Sequence, residues 1–486
     1  MIAFTAMEIA DITQGFLIGD PSIVPTGVIT DSREATHGSL YVAKPGEHVD
    51  GHDFVDAAFE GGAVLVLAER RVTDADGRPY PAVVVDDAVL AMGHLAAEAV
   101  RRIRSEREQR GEPFTVIGIT GSAGKTTTKD LLAGVLSTFG ATVAPQGSFN
   151  GEVGVPLTVF TADNETRFLI IEMGATGLGH IKYLADMVKP DVGVLLMVGS
   201  AHAGEFGGVA NIARTKGELL EALSTLGTAV INLDDPKVAT LRSRTTAKVV
   251  GFTASGSPGE DVQARNVVIS SHGHPEFDLF FPGTGPSVRV ESRLIGGHQV
   301  TNLLAAATAA FSVGIPAAAI ASSLSFQLPA SRWRMERTER PDGVTILNDA
   351  FNANPESVNA ALHTLARLGQ GRRTWAVLGG MLELGDCSVR EHIAVGNQVA
   401  RLRINRLLVV GHEARSIYSA ALQEGFLHDQ CWFLETAEEA YELLHGELLS
   451  GDLILFKSSK QLGLRYLGDR IATARRADYS IWSQGS

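Results

Sequence analysis

The stretch TVIGITGSAGKTTTKDLL at residues 115–132 decides the fold class of this chain. Residues 115–119 form a short β-branched run that is typical of a buried strand. After the glycines, apolar residues recur at helical spacing: Leu131, Leu132, Val135 and Leu136. A strand, a glycine turn and a helix together build a phosphate cradle, because glycines let backbone N–H groups approach the phosphates and a helix N-terminus favours anions. The pattern predicts a nucleotide site at Gly121, Ser122, Ala123, Gly124, Lys125, Thr126 and Thr127.

Two residues that open the helix have distinct predicted tasks. Lys125 would reach the outer phosphates, and Thr126 would offer its hydroxyl to Mg²⁺. The pattern G-x-x-x-x-G-K-[ST] is not met in full, because Ile119 stands five residues before Gly124. An ordinary glycine turn between a strand and a helix is therefore the alternative.

Length and charge limit the classes to which the protein can belong. A chain of 486 residues is too long for one core and suggests three domains of about 150 residues each. A hydrophobic content of 45% with 20% charged residues indicates a soluble, globular protein. The net charge of −13 argues against nucleic acid or an anionic membrane as partner, since both favour basic surfaces.

Cysteine usage and hydropathy indicate a cytoplasmic protein without membrane insertion. Cys387 and Cys431 give neither a disulfide framework nor a metal-ligand spacing. The N-terminal segment MIAFTAMEIADITQGF lacks the basic region of a signal peptide. The longest weakly apolar run, 303–321, is mostly alanine, and a glycine and a proline interrupt it, which leaves it short of a membrane span.

The periodicity divides the chain into three α/β domains. Residues 1–110 alternate short β runs with helical stretches, and the charged run 101–112 is expected to be an exposed helix end and linker. Residues 111–329 predict a doubly wound, mostly parallel sheet around the phosphate loop, with an antiparallel insertion at 261–295. Residues 330–486 predict a second open sheet of the Rossmann-like kind, with five strands and no phosphate loop.

Two polar clusters stand out in the first domain. TDSR at residues 30–33 follows a predicted strand, and DGHDF at residues 50–54 precedes a predicted helix. Loops at strand ends hold ligands in α/β folds, so Arg33 could contact a phosphate. From spacing alone, a surface ion pair at Arg33 and a helix cap at Asp53 are equally good explanations.

Three polar residues of the central domain could take part in chemistry. Glu172 ends the strand FLIIE, where a carboxylate would face the phosphate loop and bind Mg²⁺, and the alternative is a capped loop glutamate. His202 follows another strand end, although a lone histidine is more often a core or surface group than a ligand. Lys216 lies on a predicted helix and, judged by itself, looks like a solvated lysine.

Two later segments could bind a nucleoside. His298 and Asn302 are four apart at the start of a predicted helix, so they share one face, which could meet a base or could be a polar pair on a solvated helix end. The segment NDAFNANP at 348–355 carries more amide and carboxylate groups than a turn needs. Asp349 could accept from ribose hydroxyls, whereas a lone turn with Asn caps is the alternative.

Together these motifs resemble the Mur ligase family over nearly the whole chain. The first domain carries TDSR and GEHVDGHDF. The second carries GITGSAGKTTTK, SFNGEVGVP, EMGA, GSAHAGEFG, TKGE, INLDD and GGHQVTNLLAA, and the third carries SRWRME, NDAFNANPESV, GGMLELGD and FKSSKQ. NDAFNANP and GGMLELG resemble the members that add a dipeptide, and the sequence has no DNPR motif of the kind expected in members that add the third amino acid.

The resemblance implies an ATP- and Mg²⁺-dependent ligase of peptidoglycan precursor synthesis. Its substrates would be UDP-N-acetylmuramoyl-tripeptide and D-alanyl-D-alanine, joined through an acyl phosphate, and no feature demands more than a monomer. The alternatives are another ATP-dependent amide ligase of this architecture, such as the tripeptide-forming Mur ligase or folylpolyglutamate synthase, and a nucleotide-binding switch or transport ATPase.

The resemblance also implies roles for residues that would handle phosphate and metal. Residues 121–127 would bind the ATP phosphates, with Lys125 among the catalytic residues. Thr126 and Glu172 would hold one Mg²⁺, and His202 would serve a second. Lys216 matches a lysine that is carbamylated in the family.

Nucleoside and substrate contacts follow from the same resemblance. Asn302 and Asp349 would hold adenine and ribose, and Arg334 would hold the nucleotide phosphates, with Arg332 as the alternative arginine. The UDP-sugar contacts would be Ser32, Arg33 and Asn150. Two positions depart from the family pattern, where Asn348 and Phe351 replace Asp and Tyr, and the first change is expected to remove an acceptor near the ribose.

Overall fold

The computed structural model describes residues 1–46, 49–199, 203–255 and 261–474. These residues form three sheets that follow one another along the chain and are flanked by helices. Most strand pairs are parallel, so the predicted three-part α/β fold class is confirmed. No helix within the described ranges is both long and apolar enough to cross a membrane.

The first sheet has five strands in the order β1-β5-β4-β3-β2. The strands are β1 Phe16–Ile18, β2 Gly27–Ile29, β3 Ser39–Ala43, β4 Ala63–Ala68 and β5 Ala82–Val84, and the helices are α1 Ala6–Thr13, α2 Val55–Glu60 and α3 Ala88–Gln109. Only the β1–β5 pair is antiparallel. The sequence did not predict β1, because three residues are too few to show an alternating pattern.

The central sheet has nine strands in the order β14-β13-β12-β11-β10-β9-β6-β8-β7. Its strands are β6 Thr115–Thr120, β7 Thr142–Val143, β8 Phe168–Glu172, β9 Val192–Leu195, β10 Thr228–Asn232, β11 Lys248–Thr253, β12 Val262–Ile269, β13 Pro275–Phe280 and β14 Val288–Glu291. The pairs from β7 to β12 are parallel, and the pairs β12–β13 and β13–β14 are antiparallel. The predicted antiparallel insertion is therefore confirmed.

Helices cover both faces of the central sheet. They are α4 Lys125–Leu136, α5 Gly154–Val159, α6 His180–Val188, α7 Ala203–Phe206, α8 Val209–Glu221, α9 Pro236–Thr240, α10 Gln299–Ser312 and α11 Ala317–Phe326. One core joins α4 and α10 to the sheet through residues such as Leu132, Leu304 and Val194, all fully buried. Burial of these apolar faces holds the phosphate loop between a fixed strand and a fixed helix.

The third sheet has six strands in the order β15-β16-β20-β17-β18-β19. Its strands are β15 Glu336–Glu339, β16 Thr345–Asn348, β17 Thr374–Leu378, β18 Arg406–Val410, β19 Cys431–Leu434 and β20 Leu453–Lys457, and its helices are α12 Pro355–Leu368, α13 Ser388–Arg401, α14 Arg415–Gln423, α15 Ala437–Glu447 and α16 Leu464–Thr473. The five predicted strands are parallel, and the additional edge strand β15 is antiparallel.

Helix α3 joins the first and central sheets. Its residues Met92, Leu95 and Val100 share one core with β-strand residues of the first sheet and with Val155 and Ile181 of α5 and α6. The expectation of a helix end and linker at 101–112 is confirmed, because α3 ends at Gln109, but the expectation that this helix end is exposed is wrong at Ile103 and Arg107, which are buried. Arg107 is buried there and donates to the carbonyl oxygens of Pro113 and Asn164 at 3.0 and 2.9 Å.

The central and third sheets are joined by close contacts on two sides of a cleft. Arg367 of α12 donates to the carbonyl of Ile269 at 2.7 Å. On the other side, a side-chain carbon at Gly204 would lie 2.5 Å from the Cα of Gly385, so α7 touches the loop after β17 with room for glycine only. These contacts bring the carboxyl ends of strands from both sheets to one cleft.

Candidate active site

The cleft has a volume of about 860 Å³ and lies between the central and third sheets. The central sheet contributes the ends of β6, β8, β9 and β10, together with the start of α10. The third sheet contributes the loops that follow β16, β17 and β20. A cleft at the carboxyl ends of parallel strands is where open α/β sheets bind ligands.

The phosphate loop forms one wall of the cleft. Residues 121–127 all line it, and Lys125 Nζ donates to the carbonyl of Gly121 at 2.8 Å. Gly124 has φ +84°, and a Cβ there would lie 2.3 Å from Asn302 Oδ1, so both the backbone and the neighbour require glycine. Burial lowers the pKa of Lys125, although the negative charge of Glu172 opposes this shift.

Glu172 is a buried carboxylate at the centre of this wall. It is fully buried and accepts from Thr126 Oγ1 at 2.9 Å. Its other oxygen accepts from Ser148 Oγ at 2.8 Å and from Asn150 Nδ2 at 2.7 Å. The alternative of a capped loop glutamate is therefore wrong. Asn150 lies in the cleft, as its predicted substrate role needs, but its amide nitrogen is bonded to Glu172 and Ser148.

The chemistry of these groups fits Mg²⁺. The hydroxyl of Thr126 and the carboxylate of Glu172 are adjacent oxygen donors, and Mg²⁺ prefers oxygen and is usually held by few carboxylates plus substrate phosphates. Within the described ranges no group of three or more His, Cys, Asp or Glu residues could hold a metal by itself. His202, the predicted ligand of a second Mg²⁺, lies outside the described residues.

Lys216 on α8 lines the same cleft. It is buried, so the interpretation as a solvated lysine is wrong. Burial, together with the charge of Lys125, holds the pKa of Lys216 well below its ordinary value. A lysine with a lowered pKa has a larger neutral fraction, which is the form that reacts with electrophiles.

The start of α10 contributes the predicted base-binding pair. Asn302 is buried, and its Nδ2 donates to Gln299 Oε1 at 2.8 Å. His298 is half-buried, and its Nδ1 is buried without a hydrogen-bond partner in the described part of the chain. Both residues line the cleft, so the alternative of a solvated polar pair is wrong.

Of the two candidate arginines, Arg334 faces the phosphate loop. Its Nη2 lies 3.2 Å from Thr126 Oγ1, and its guanidinium carbon lies 4.3 Å from the centre of the Phe351 ring. Its Nε is buried without a hydrogen-bond partner among the described residues. An unsatisfied buried donor of this kind is available to an anionic ligand. Arg332 instead is largely exposed and pairs with Asp469 at 3.0 Å.

Asp349 lies in the cleft within a buried ion pair. Its Oδ2 is 2.6 Å from Lys457 Nζ, and its Oδ1 accepts from the backbone nitrogen of Met335 at 3.0 Å. Lys457 also donates to the carbonyl of Asn352 at 2.9 Å. The alternative of an unremarkable turn is therefore wrong, because this segment is held by a charge from β20.

Asn348 points away from the cleft. Its Nδ2 donates to the carbonyl of Arg465 at 2.9 Å and to Asp469 Oδ1 at 3.1 Å. The expectation that Asn348 removes an acceptor near the ribose is wrong, because neighbouring residues of a strand face opposite sides and Asp349 takes the cleft side. Phe351, the other departure from the family pattern, lines the cleft under Arg334.

The predicted substrate contacts Ser32 and Arg33 do not line this cleft. They lie in a single turn, Ser32–Glu34, after β2. Arg33 is 87% exposed and forms an ion pair with Asp31 at 2.6 Å, which lowers the pKa of Asp31 to about 2. Of the two alternatives stated for Arg33, this structure contains the surface ion pair.

The helix cap predicted at Asp53 is wrong. Asp50 instead caps the single turn Gly51–Phe54 that precedes α2, where it accepts from the backbone nitrogen of His52 at 3.0 Å, and α2 itself has no side-chain cap. His52 is buried, and its ring bonds Asp50 and the backbone nitrogen of Glu69 at 2.6 and 2.9 Å. The DGHDF segment therefore ties the α2 start to β4.

Sequence reasoning missed three residues that shape the cleft. Lys457 pairs with Asp349, Asn354 Nδ2 donates to the carbonyl of Ser122 at 3.1 Å, and Glu383 lines the third-sheet wall. The signal for Lys457 was a lysine that ends a fully apolar strand, LILFK, which needs a partner when buried. The contact of Asn354 joins residues more than 200 positions apart, and local pattern carries no signal for it.

Comparisons with known proteins agree with this geometry. Family models match residues 25–111 as "Mur ligase family, catalytic domain", residues 119–310 as "Mur ligase middle domain", and residues 333–460 as "Mur ligase, glutamate ligase domain". A UDP-N-acetylmuramoyl-tripeptide–D-alanyl-D-alanine ligase of Mycobacterium leprae is 38% identical over 96% of this chain and 98% of its own length.

Solved structures are similar over nearly the full length. A crystal structure of MurF from Acinetobacter baumannii matches 98% of this chain and 100% of its own, with a TM-score of 0.84 and 28% identity. MurF ligase from Thermotoga maritima in complex with ADP matches 92% of this chain and 97% of its own, with a TM-score of 0.76 and 26% identity.

Proposed function

This chain belongs to the Mur ligase family, and we propose that it joins D-alanyl-D-alanine to UDP-N-acetylmuramoyl-tripeptide at the expense of ATP. The products are the UDP-linked pentapeptide, ADP and phosphate, so the reaction belongs to peptidoglycan precursor synthesis. The observation that carries the proposal is the contact between Arg334, which precedes the third sheet, and Thr126 of the phosphate loop, 3.2 Å apart. That contact supports the proposal, because it sets a cation of the third domain beside the phosphate loop of the second.

The chemistry follows from the weakness of a carboxylate as an electrophile. The tripeptide carboxylate attacks the γ-phosphorus of ATP, the bond to the β-phosphate oxygen breaks, and an acyl phosphate and ADP form. The dipeptide amine then attacks the acyl carbon, loses a proton, and phosphate leaves. Phosphoryl transfer needs alignment and charge cancellation more than covalent help, and Lys125 and Arg334 supply the charge.

The remaining site roles are part of the same proposal. Thr126 and Glu172 hold Mg²⁺, which neutralises phosphate charge when bound, and His202 serves a second ion. Lys216 is carbamylated, which turns a buried amine into an anionic group. Its lowered pKa supports this, because only the neutral amine adds to carbon dioxide.

Substrate and nucleoside contacts complete the proposal. Asn302 and Asp349 bind adenine and ribose, and their positions at the cleft support this. Ser32, Arg33 and Asn150 bind the UDP-sugar, with the Arg33–Asp31 pair exchanged for phosphate. The domains divide near residues 110 and 329, and the enzyme works as a cytoplasmic monomer.

A product assay tests the function. Purified protein is given ATP, Mg²⁺ and UDP-N-acetylmuramoyl-tripeptide with a panel of amino acids and dipeptides, while ADP release is followed in parallel. We expect ligation with D-alanyl-D-alanine and hydroxamate formation when hydroxylamine replaces the dipeptide. Ligation of a single amino acid or of glutamate to a folate would support the other amide ligases, and ADP release without any ligated product would support an ATPase.

The variant Lys125→Ala tests the phosphate loop in the same assay. We expect it to abolish ligation, because the ammonium of Lys125 is the group of the loop that neutralises the outer phosphates of ATP. Binding of the UDP-substrate should survive. Isothermal titration with the UDP-substrate provides the control for folding. Normal turnover in this variant would contradict the role of the phosphate loop.

A further inference from the structure

The loop after β17 carries a residue in a strained conformation at the edge of the cleft. Glu383 lines the cleft, is exposed, and has φ +66°. A non-glycine residue in the left-handed region is strained, because its Cβ comes too close to the following carbonyl oxygen. Such strain persists only where the surroundings fix it, and it concentrates at ligand sites.

Four hydrogen bonds fix this loop. The backbone nitrogen of Met381 donates to His392 Nε2 at 2.9 Å, and that of Leu382 donates to Ser459 Oγ at 2.9 Å. The backbone nitrogen of Gly379 donates to the carbonyl of Lys457 at 2.9 Å, and that of Ser459 donates to the carbonyl of Gly380 at 3.0 Å. The conformation of the loop is therefore set by β20 and α13 and not by its tip.

The loop lies beside Lys460, whose charge is opposite to that of Glu383. Lys460 follows Ser459, lines the cleft, and is exposed, with its Nζ 5.6 Å from the centre of the Phe351 ring. Among the described residues, the ion pairs do not include Lys460. Because Leu382 and Ser459 are hydrogen-bonded, their chain neighbours Glu383 and Lys460 present a carboxylate and an ammonium from adjacent positions on one wall.

This charge pattern differs from that of the phosphate side. The wall formed by the central sheet carries the phosphate loop with Lys125, which suits triphosphate and acyl phosphate. A free dipeptide at neutral pH is a zwitterion, with an ammonium at one end and a carboxylate at the other. Such a molecule is complementary to one anionic and one cationic group placed side by side.

We infer that Glu383 and Lys460 form the subsite for the incoming dipeptide, with Glu383 holding its ammonium end and Lys460 its carboxylate. This inference rests on the proposed function and adds to it a place for the second substrate. The ammonium at Glu383 loses a proton to solvent, to which this residue is exposed, and the neutral amine then approaches from the third-sheet wall, opposite the phosphates. Domain contact at Gly204 and Gly385 places this loop against the central domain.

The test uses Glu383→Gln and Lys460→Met in the full chain. Glu424→Gln and Lys248→Met, at exposed positions outside the cleft, are the matched controls. We expect Glu383→Gln to raise the KM for D-alanyl-D-alanine by about tenfold or more, since it removes one charge-assisted hydrogen bond. The KM for ATP and the hydroxamate yield without dipeptide should stay within about twofold of wild type, because the loss is confined to the second substrate.

A substrate change isolates Lys460. D-alanyl-D-alaninamide lacks the carboxylate, so wild type should use it about tenfold less well in kcat/KM than the free dipeptide. Lys460→Met should lose this discrimination, whereas Glu383→Gln should keep it. Thermal unfolding of each variant shows whether the fold survives, and variants that unfold are replaced by Glu383→Asp and Lys460→Gln.

The outcomes separate this inference from the proposed function. A wild-type protein without hydroxamate or ligated product would overturn the proposed function itself. An active wild type whose Lys460→Met variant still discriminates the amide, or whose Glu383→Gln variant leaves the dipeptide KM unchanged, would overturn the subsite alone. A rise in the KM for the UDP-tripeptide in place of the dipeptide would also overturn it.

Discussion

At the scale of single residues, the cleft depends on backbone conformations that only certain side chains tolerate. Gly124 combines a left-handed backbone with a neighbour, Asn302, whose side chain would have to move to admit a Cβ. Glu383 holds a left-handed backbone although it is not glycine. The first is a requirement of the phosphate cradle, and the second is a strain that a functional role would justify.

Gly124→Ala should abolish nucleotide binding. The added carbon would lie 2.3 Å from Asn302 Oδ1, so the Asn302 side chain must turn away from its place at the cleft or the loop must move. Gly179→Ala is the matched control, because Gly179 has a similar φ of +88° but nothing within 4 Å of its Cβ position. Both variants bear the backbone strain, and only Gly124→Ala should lose ATP affinity in equilibrium titration. Equal affinities in the two variants would contradict a steric requirement at the loop.

Glu383→Gly should stabilise the protein while it weakens dipeptide use. Glycine removes the left-handed penalty but gains freedom in the unfolded chain, so the net gain should be about 0.5–1 kcal/mol. The melting temperature should rise, and the KM for D-alanyl-D-alanine should rise with it. Glu424→Gly, at an exposed position with φ −83°, should instead lower the melting temperature. A lower melting temperature for Glu383→Gly would show that the strain is not stored in this residue.

At the scale of elements, the sequence predicted the strands around the site far better than the edge strands and the helix end at 101–112. The predicted strand FLIIE is Phe168–Glu172 in the structure, and the five strands predicted for the third domain are present, because buried parallel strands are continuous apolar runs. The edge strands β1, β7 and β15 were missed, since short and half-exposed segments carry little periodicity. The run 101–112 was expected to be an exposed helix end and linker because it is charged. The helix end is present, but Arg107 is buried and donates to carbonyl oxygens outside the helix.

The residues of the site also fall into two groups, those that the local sequence predicts and those that it does not. The phosphate loop and the strand-end position of Glu172 could be predicted, because both follow from local order along the chain. The partners of these residues could not, since Arg334 and Asn354 reach the loop from the third domain. Lys216 was misread for the same reason, because its burial depends on packing that a helical pattern does not reveal.

Helix α13 controls the loop after β17 through a neutral histidine. His392 Nε2 accepts from Met381, and its Nδ1 lies 2.7 Å from the carbonyl of Ser388, so the ring must be neutral to make both bonds. Burial lowers the pKa of His392. The unfolded chain therefore binds a proton at higher pH than the folded one, and stability should fall as pH drops below about 6.5.

His392→Gln should flatten this pH dependence. A glutamine oxygen can accept from the Met381 nitrogen but does not titrate between pH 7.5 and pH 5.5. Melting temperatures measured across that range should decline less steeply for His392→Gln than for wild type. His428→Gln, at an exposed position, should keep the wild-type slope. Parallel slopes for wild type and His392→Gln would exclude this histidine as the source of the dependence.

At the scale of the whole molecule, the cleft is completed by contacts between the central and third sheets. Arg334 meets Thr126, Asn354 meets the carbonyl of Ser122, and Gly204 meets Gly385. An acyl phosphate must be kept from water, so the reaction needs these walls in contact before the intermediate forms. The contact at Asn354 is the most direct test of this requirement, because it is buried and joins the third domain to the phosphate loop itself.

Asn354→Asp should weaken closure without harming the fold. The side chain would still cap α12, where its oxygen accepts from the Ser357 nitrogen at 2.8 Å, because Asp and Asn are equivalent caps. It would lose the donor to Ser122 and set a carboxylate against a carbonyl, which should lower kcat by about tenfold. Asn354→Ser also keeps a cap and removes the donor without adding charge, so its loss should be smaller. Hydroxamate yield in place of ligated product measures whether the intermediate still forms, and small-angle scattering with ADP bound measures closure. If both variants keep wild-type kcat, the contact between Asn354 and the phosphate loop is not part of the closed, reacting state.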